Sequence, residues 1–489
     1  MNKLEKHFSQ FRKNIIGNDE IFHTPYGSMK MTYADWTASG RLYAPIEEKI
    51  SQQFGPFVGN THTSTTVTGT SMTLAYHKAH EIIKDHVNAS KEDAIITSGS
   101  GMTRVVNKFQ RILGLKCNEK FQKFIKIPDT KRPVVFITHM EHHSNHTTWL
   151  ETIANVEIIN PNSEGLVDLN HLHELLQKYS NRETKIAAIT ACSNVTGIQT
   201  TYHEIAKIMH KNNGLCFVDF ACSAPYVKID MHPQDPLQKL DAIYFSPHKF
   251  LGGPGSTGVL IFDSKLYKRK IPDQPGGGTV RWTDPRGGHL YFKKIELRED
   301  GGTPAFLQTI KAALAIKLKE KMGVENIFQR EHEIVKNVFN KLADIDRIHI
   351  LADNISNRLP VFSFFIEDLH YNLAVKLLND RFGIQTRGGC SCAGTYGHYL
   401  LHLSPQRSKA LKSSIKKGDL SNKPGWVRIS LHPTMSDKII NYIIESLEKM
   451  IINSNEWGKD YEYNSHTNEF HNTRYSEDNE NIINNWFEK

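Results

Sequence analysis

Residues 242–249 read Ala242-Ile243-Tyr244-Phe245-Ser246-Pro247-His248-Lys249: a short apolar run, a Ser-Pro break, then a lysine. A continuous apolar run closed by a turn signal predicts a strand buried on both faces. The pattern recurs on either side. Cys216-Phe217-Val218-Asp219 ends in an acid, and Val259-Leu260-Ile261-Phe262 follows the lysine. Upstream lie Ala94-Ile95-Ile96-Thr97, Val134-Val135-Phe136-Ile137, Val156-Glu157-Ile158-Ile159 and Ile186-Ala187-Ala188-Ile189. Helical stretches with apolar residues three and four apart intervene, among them Leu169–Lys178 and Tyr202–Lys211. Strands alternating with helices predict an α/β fold with a mostly parallel sheet, whose ligands sit beyond the carboxyl ends of the strands.

Five segments follow from this pattern: an N-terminal arm (1–30), a large domain (31–305), bridging helices (306–342), a smaller C-terminal α/β domain (343–452) and a polar tail (453–489) without a trusted period. The 489 residues are 39% hydrophobic and 23% charged, ordinary for a soluble globular protein. No apolar run approaches the ~20 residues of a membrane helix, and the polar N-terminus lacks a signal-type apolar region. Six scattered cysteines do not resemble a disulfide framework, so a cytoplasmic protein with reduced thiols is expected. The formal charge of +8 does not predict nucleic-acid binding, because the densest basic stretch (407–417) is short and carries no aromatic residues for stacking.

The ends of the predicted strands carry residues suited to one ligand. Thr97-Ser98-Gly99-Ser100-Gly101-Met102-Thr103 is a glycine-rich turn into a helix, an anion site. Thr138-His139-Met140-Glu141-His142-His143-Ser144-Asn145-His146 offers a histidine to stack on an aromatic ring, and Asn194 offers an amide. Asp219, ending a buried strand, needs a cationic partner such as a protonated pyridine. Lys249, desolvated in such a pocket, becomes a nucleophile that condenses with a carbonyl. Together these features fit a phosphorylated, aromatic, aldehyde-bearing cofactor.

From Tyr33-Ala34-Asp35-Trp36-Thr37-Ala38 to Val427-Arg428-Ile429-Ser430-Leu431 the chain resembles the class V aminotransferase group of fold type I pyridoxal-5′-phosphate (PLP) enzymes, and within it the cysteine desulfurases and selenocysteine lyases. The resemblance implies a large PLP-binding domain, a homodimer and a Schiff base on Lys249. It pairs Asp219 with the pyridine nitrogen, stacks His142 on the ring and sets Asn194 at the phenolate side. Gly101, Met102, Thr103, Ser246 and His248 then surround the phosphate, with Thr303 reaching it across the dimer interface. Arg428, with Asn194 and Ala38, holds the substrate.

Arg387-Gly388-Gly389-Cys390-Ser391-Cys392-Ala393-Gly394 resembles the desulfurase catalytic loop, with Cys392 at the nucleophile position. The implied reaction removes sulfur or selenium from cysteine or selenocysteine: Lys249 takes the Cα proton, the Cys392 thiolate attacks the substrate sulfur, and alanine and a Cys392 persulfide result. A sulfur-acceptor protein is a further implied partner. The alternative is a class V aminotransferase, epimerase or C–S lyase that uses no persulfide.

The chain departs from the family at four places. Cys222 stands where the family's Asp-x-Ala pattern usually continues with Gln, and is read as a cofactor neighbour, either a small buried hydrophobe or a redox residue. Thr63 stands where one subgroup has arginine. Cys390 is an alternative nucleophile, a resolving thiol or a bystander. Residues 404–425 form an insertion read as a solvated helix, a lid or a docking element. Two rival motifs are set aside. Cys390, Cys392, His398 and His402 have zinc-ligand types, but a metal explains neither Lys249 nor Asp219, so no metal site is expected. Gly253-Pro254-Gly255-Ser256-Thr257-Gly258 matches a dinucleotide motif but precedes a strand rather than a helix, and is read as support for the lysine turn.

Overall fold

The apolar runs assemble into one sheet. In the computed structural model, which describes residues 3–475 and 479–488, its strands are β1 (Asp93–Ser98), β2 (Val134–Thr138), β3 (Asn155–Ile159), β4 (Lys185–Thr190), β5 (Leu215–Asp219), β6 (Ala242–Phe245) and β7 (Gly258–Asp263). The order across the sheet is β1-β7-β6-β5-β4-β2-β3. Every neighbouring pair is parallel except those of β7, which runs antiparallel to β1 and β6. The mixed α/β fold with a mostly parallel sheet is therefore the one the chain adopts.

Both faces of the sheet are covered, which is why β2, β4 and β6 are buried along their whole length. Successive side chains of β2 point to opposite cores. Val134 and Phe136 join residues of α2 (Val67–His86), α5 (Leu169–Lys178), α6 (Tyr202–Lys211) and α7 (Phe306–Met322). Val135 and Ile137 meet α3 (Met102–Ile112) and Trp149 of α4 (His143–Leu150). The carboxyl ends of β4, β5 and β6 align, with Thr190 paired to Asp219 and Asp219 to Tyr244. This alignment sets the acid and the lysine-bearing turn side by side.

A second, antiparallel sheet has the order β8 (Ile348–Ile350), β9 (Val361–Ile366), β11 (Trp426–Ser430), β10 (Arg387–Gly389). Its core is filled from α8 (Val324–Ala343), α9 (Tyr371–Phe382) and α12 (Asp437–Trp457). The N-terminal helix α1 (Lys3–Arg12) sinks Phe8 and Phe11 into the same core. Residues Thr32–Tyr33 pair in parallel with Ile384–Gln385, and Asp35 bridges to Ser430, so the segment after the arm is stitched to this second layer.

Both chain ends hold more structure than their sequence announces. After helix α1 the arm carries a hairpin, Ile21–Thr24 with Gly27–Lys30. The stretch from 453 is not without structure either. Helix α12 continues to Trp457, and β12 (Tyr461–Asn464) pairs with β13 (Glu469–Asn472). This hairpin is tied to α9, because Tyr461 donates to the buried Asp380 carboxylate at 2.8 Å and Asn468 Nδ2 donates to Tyr371 Oη at 2.8 Å. The insertion contains α11 (Pro405–Lys416), which buries no residue. Among the described residues no helix is long and apolar enough to cross a membrane.

Candidate active site

A cleft of about 250 Å³ opens at the carboxyl ends of β4, β5 and β6. A larger cleft, about 1070 Å³, lies between α9 and the C-terminal hairpin, but neither Lys249 nor Asp219 lines it. The chemistry converges on the smaller one. Of the residues expected from sequence, Ala38, Met102, Thr103, His142, Asn194, Asp219, Cys222, Ser246, His248, Lys249, Cys392 and Arg428 all line it. Gly101, Cys390 and Thr303 do not; Gly101 caps the start of α3 beside it, Cys390 is half-buried against the large-sheet core, and Thr303 is exposed on a loop.

The anion cradle is built at the start of α3. Met102 N donates to Ser246 Oγ at 2.9 Å, binding the glycine-rich turn to the lysine turn. Gly101 leaves the approach open: a Cβ there would lie 3.1 Å from Ser246 Oγ and 3.6 Å from His248 Nε2. Thr103 Oγ1 and Ser144 Oγ sit 2.7 Å apart, so Ser144, unread from sequence, adds a hydroxyl beside the cradle. The helix N-terminus contributes its free N–H groups and partial positive charge.

Lys249 ends a 3₁₀ turn after β6, and burial lowers its pKa, although Cys222 and Asp219 nearby oppose that effect. Among the described residues it makes no ion pair. Gly253 allows the turn to close, since a Cβ at that position would lie 1.8 Å from Pro247 O. Asp219 accepts from Ala221 N at 2.8 Å and has no ion-pair partner among the described residues. Burial raises its pKa from 3.8 to about 6. His142 caps α4, its Nδ1 accepting from Ser144 N at 3.0 Å, which leaves any proton on Nε2. Burial, then Lys249, lowers the His142 pKa to about 3, so its ring is neutral.

These features fit a phosphorylated, carbonyl-bearing pyridine. The cradle takes the anion, the unpaired buried carboxylate takes a ring cation, and the buried lysine takes the carbonyl. Asn194 differs from expectation. Its Nδ2 donates to Ser391 O at 2.7 Å, while Oδ1 is buried without a partner, so the free atom is an acceptor rather than the donor a phenolate needs.

Arg428 and Arg387 stand directly opposite each other on β11 and β10. Like charges so placed repel, and Asp35 resolves the conflict. Its Oδ1 accepts from Arg428 Nη2 at 2.6 Å and its Oδ2 from Arg387 Nε at 2.9 Å. Arg428 Nη1 also donates to Asn194 O at 3.0 Å, while its buried Nε has no partner. The coupling of Asp35 and Arg387 was not visible in sequence; two arginines flanking one insertion were the available hint.

Cys222 is paired with Cys192. Both thiols lie 3.6 Å from Ser193 O, and both line the cleft. The neighbouring Cys192 thiol lowers the Cys222 pKa against the effect of burial, and Lys249 and Arg428 reinforce it. The cysteine loop is a tight turn, with Ala393 N donating to Cys390 O at 3.0 Å. Its central residues Ser391 and Cys392 both have left-handed backbones, φ 50° and 56°. That conformation costs roughly 1–2 kcal/mol per non-glycine residue. It turns Cys392 into the cleft mouth and Cys390 away from it. The histidine-rich stretches make hydrogen bonds instead of a metal cluster: His139 with Gly165 O, His146 with Thr395 and His398 with Ser408. Among the described residues no three His, Cys, Asp or Glu side chains are grouped to hold a metal.

A lysine, an unpaired acid and an anion cradle at the ends of a mostly parallel sheet define the fold type I class. The chain belongs to the class-V aminotransferase family, whose model matches residues 32–442. It is 28% identical over 372 residues to a probable cysteine desulfurase of Halalkalibacterium halodurans, covering 74% of this chain and 84% of that one. It is 25% identical over 384 residues to a probable cysteine desulfurase of Staphylococcus aureus strain COL, covering 78% and 87%. Among solved structures it superimposes on the apo cysteine desulfurase of Thermococcus onnurineus NA1 with a TM-score of 0.72 at 21% identity, covering 91% and 98%.

Proposed function

We propose that the protein is a PLP-dependent cysteine desulfurase, carried by one observation above the rest: Cys392 sits in a left-handed turn at the mouth of the cleft that holds Lys249. Lys249, Asp219, His142 and the start of α3 would hold PLP, which when bound draws electrons from the substrate Cα. Arg428, braced by Asp35, binds the substrate carboxylate with its guanidinium fork. Lys249, desolvated and free of an ion pair, moves the Cα proton. The Cys392 sulfur bonds to the substrate sulfur as the substrate C–S bond breaks. The bond's electron pair passes to the substrate carbon, which gains a proton, leaving alanine and a persulfide on Cys392.

The reading includes a homodimer, because exposed Thr303 has no access to its own cleft and by resemblance serves a partner's. Six unlinked thiols agree with a cytoplasmic setting. An amino-acid panel followed by alanine, sulfide and keto-acid production tests the proposal. With a thiol reductant present to cleave the persulfide, cysteine is expected to give equal alanine and sulfide. Cys392→Ala is expected to lose at least about a hundredfold in kcat with the cofactor spectrum kept, and Cys390→Ala to stay within about threefold. Keto acid as the main product, or full activity in the Cys390/Cys392 double variant, would refute it.

A further inference from the structure

Cys392 lies in a turn that its own sequence does not favour. A turn with both central residues left-handed is ordinarily built of Asn and Gly, yet here they are Ser391 and Cys392. Contacts from outside the loop must therefore hold the shape. Two contacts grip the Ser391 side: Asn194 Nδ2 donates to Ser391 O at 2.7 Å and Trp426 Nε1 to Ser391 Oγ at 3.2 Å. The Cys392 side is gripped by one residue. His143 N donates to Cys392 O at 2.7 Å, and His143 Nε2 accepts from Gly394 N at 2.9 Å. Backbone and ring together clasp the three residues from Cys392 to Gly394.

We infer that His143 is a positioning residue that holds the Cys392 thiol at the cleft mouth, an assignment that rests on the desulfurase reading for its catalytic meaning. His143 is absent from the cleft lining, so it acts through the loop. Its neighbour His142 caps α4 and faces the cleft, which fixes the start of that helix and hence the anchor point of His143. Without an acceptor at Nε2 the Gly394 amide is released, and the turn relaxes toward ordinary backbone angles that carry the thiol away.

The test compares His143→Leu, which removes the acceptor, with His143→Gln, whose side-chain oxygen replaces it, in the PLP-loaded enzyme. Hydrogen exchange of the Gly394 amide is measured with no amino acid present, and kcat and KM for cysteine are measured separately. The leucine variant is expected to exchange at least about tenfold faster and to lose at least about tenfold in kcat, with KM and the cofactor spectrum unchanged. The glutamine variant is expected to recover most of both. Exchange and kcat within twofold of wild type in the leucine variant overturn the inference, as does an equal defect in both variants. Wild-type enzyme that forms no alanine from cysteine while Gly394 exchange still depends on residue 143 sinks the desulfurase reading alone and leaves the clasp standing.

Discussion

Among the described residues Asp219 is a buried carboxyl group with no ion-pair partner, Lys249 nearby offsetting only part of the burial, and its energetics follow from that. Its folded pKa, about 6, lies above the 3.8 of an ordinary aspartate. Folding therefore favours the protonated form, and the cofactor-free protein loses stability as pH rises from about 4 to about 6. The loss levels off above that window at roughly 3 kcal/mol. Asp219→Asn keeps the acceptor for Ala221 N but carries no charge. Cofactor-free Asp219→Asn is expected to match wild type near pH 4 and to melt several degrees higher at pH 8, while binding PLP more weakly; equal melting temperatures at pH 8 would contradict the unpaired charge. This residue was legible in sequence because an acid closing a buried apolar run must either meet a cation or take up a proton. His143 was not, since its partner Gly394 lies 251 residues away and only the fold brings them together.

Among the elements, the cross-strand pair on β10 and β11 depends on Asp35, which comes from neither strand. Asp35→Asn leaves Arg387 and Arg428 facing each other with Arg428 only 2% exposed. Removing one partner of a buried ion pair typically costs about 3–5 kcal/mol. The expected outcome is a fall of that order in denaturant unfolding, with a rise in KM for the amino acid as Arg428 loses its brace. An unchanged KM would mean Asp35 supports the fold alone. The strands themselves were readable, because buried strands announce themselves as apolar runs. The C-terminal hairpin was less so. Tyr461, Tyr463 and Phe470 do alternate with polar residues, but over four residues per strand, too short a stretch to separate from a polar coil.

For the whole molecule, the chain ends matter as much as the catalytic layer. The C-terminal hairpin reaches the second layer through Tyr461 and the buried Asp380, and Tyr26 of the N-terminal arm donates to Asp460 at 2.8 Å. Tyr461→Phe takes the donor from Asp380 Oδ2 while Oδ1 keeps Asn379 and Lys376, and is expected to cost about 1–3 kcal/mol in equilibrium unfolding without changing kcat; an unaltered midpoint would show the hairpin to be ornamental. The parallel pairing of Thr32–Tyr33 with Ile384–Gln385 joins positions about 350 residues apart. At roughly 5–20 residues per second of synthesis, the first strand waits about 20–70 s on the ribosome before its partner has even been translated. The nascent chain must carry these two residues unpaired through that interval, so this seam between the arm and the second layer closes only after most of the chain has emerged.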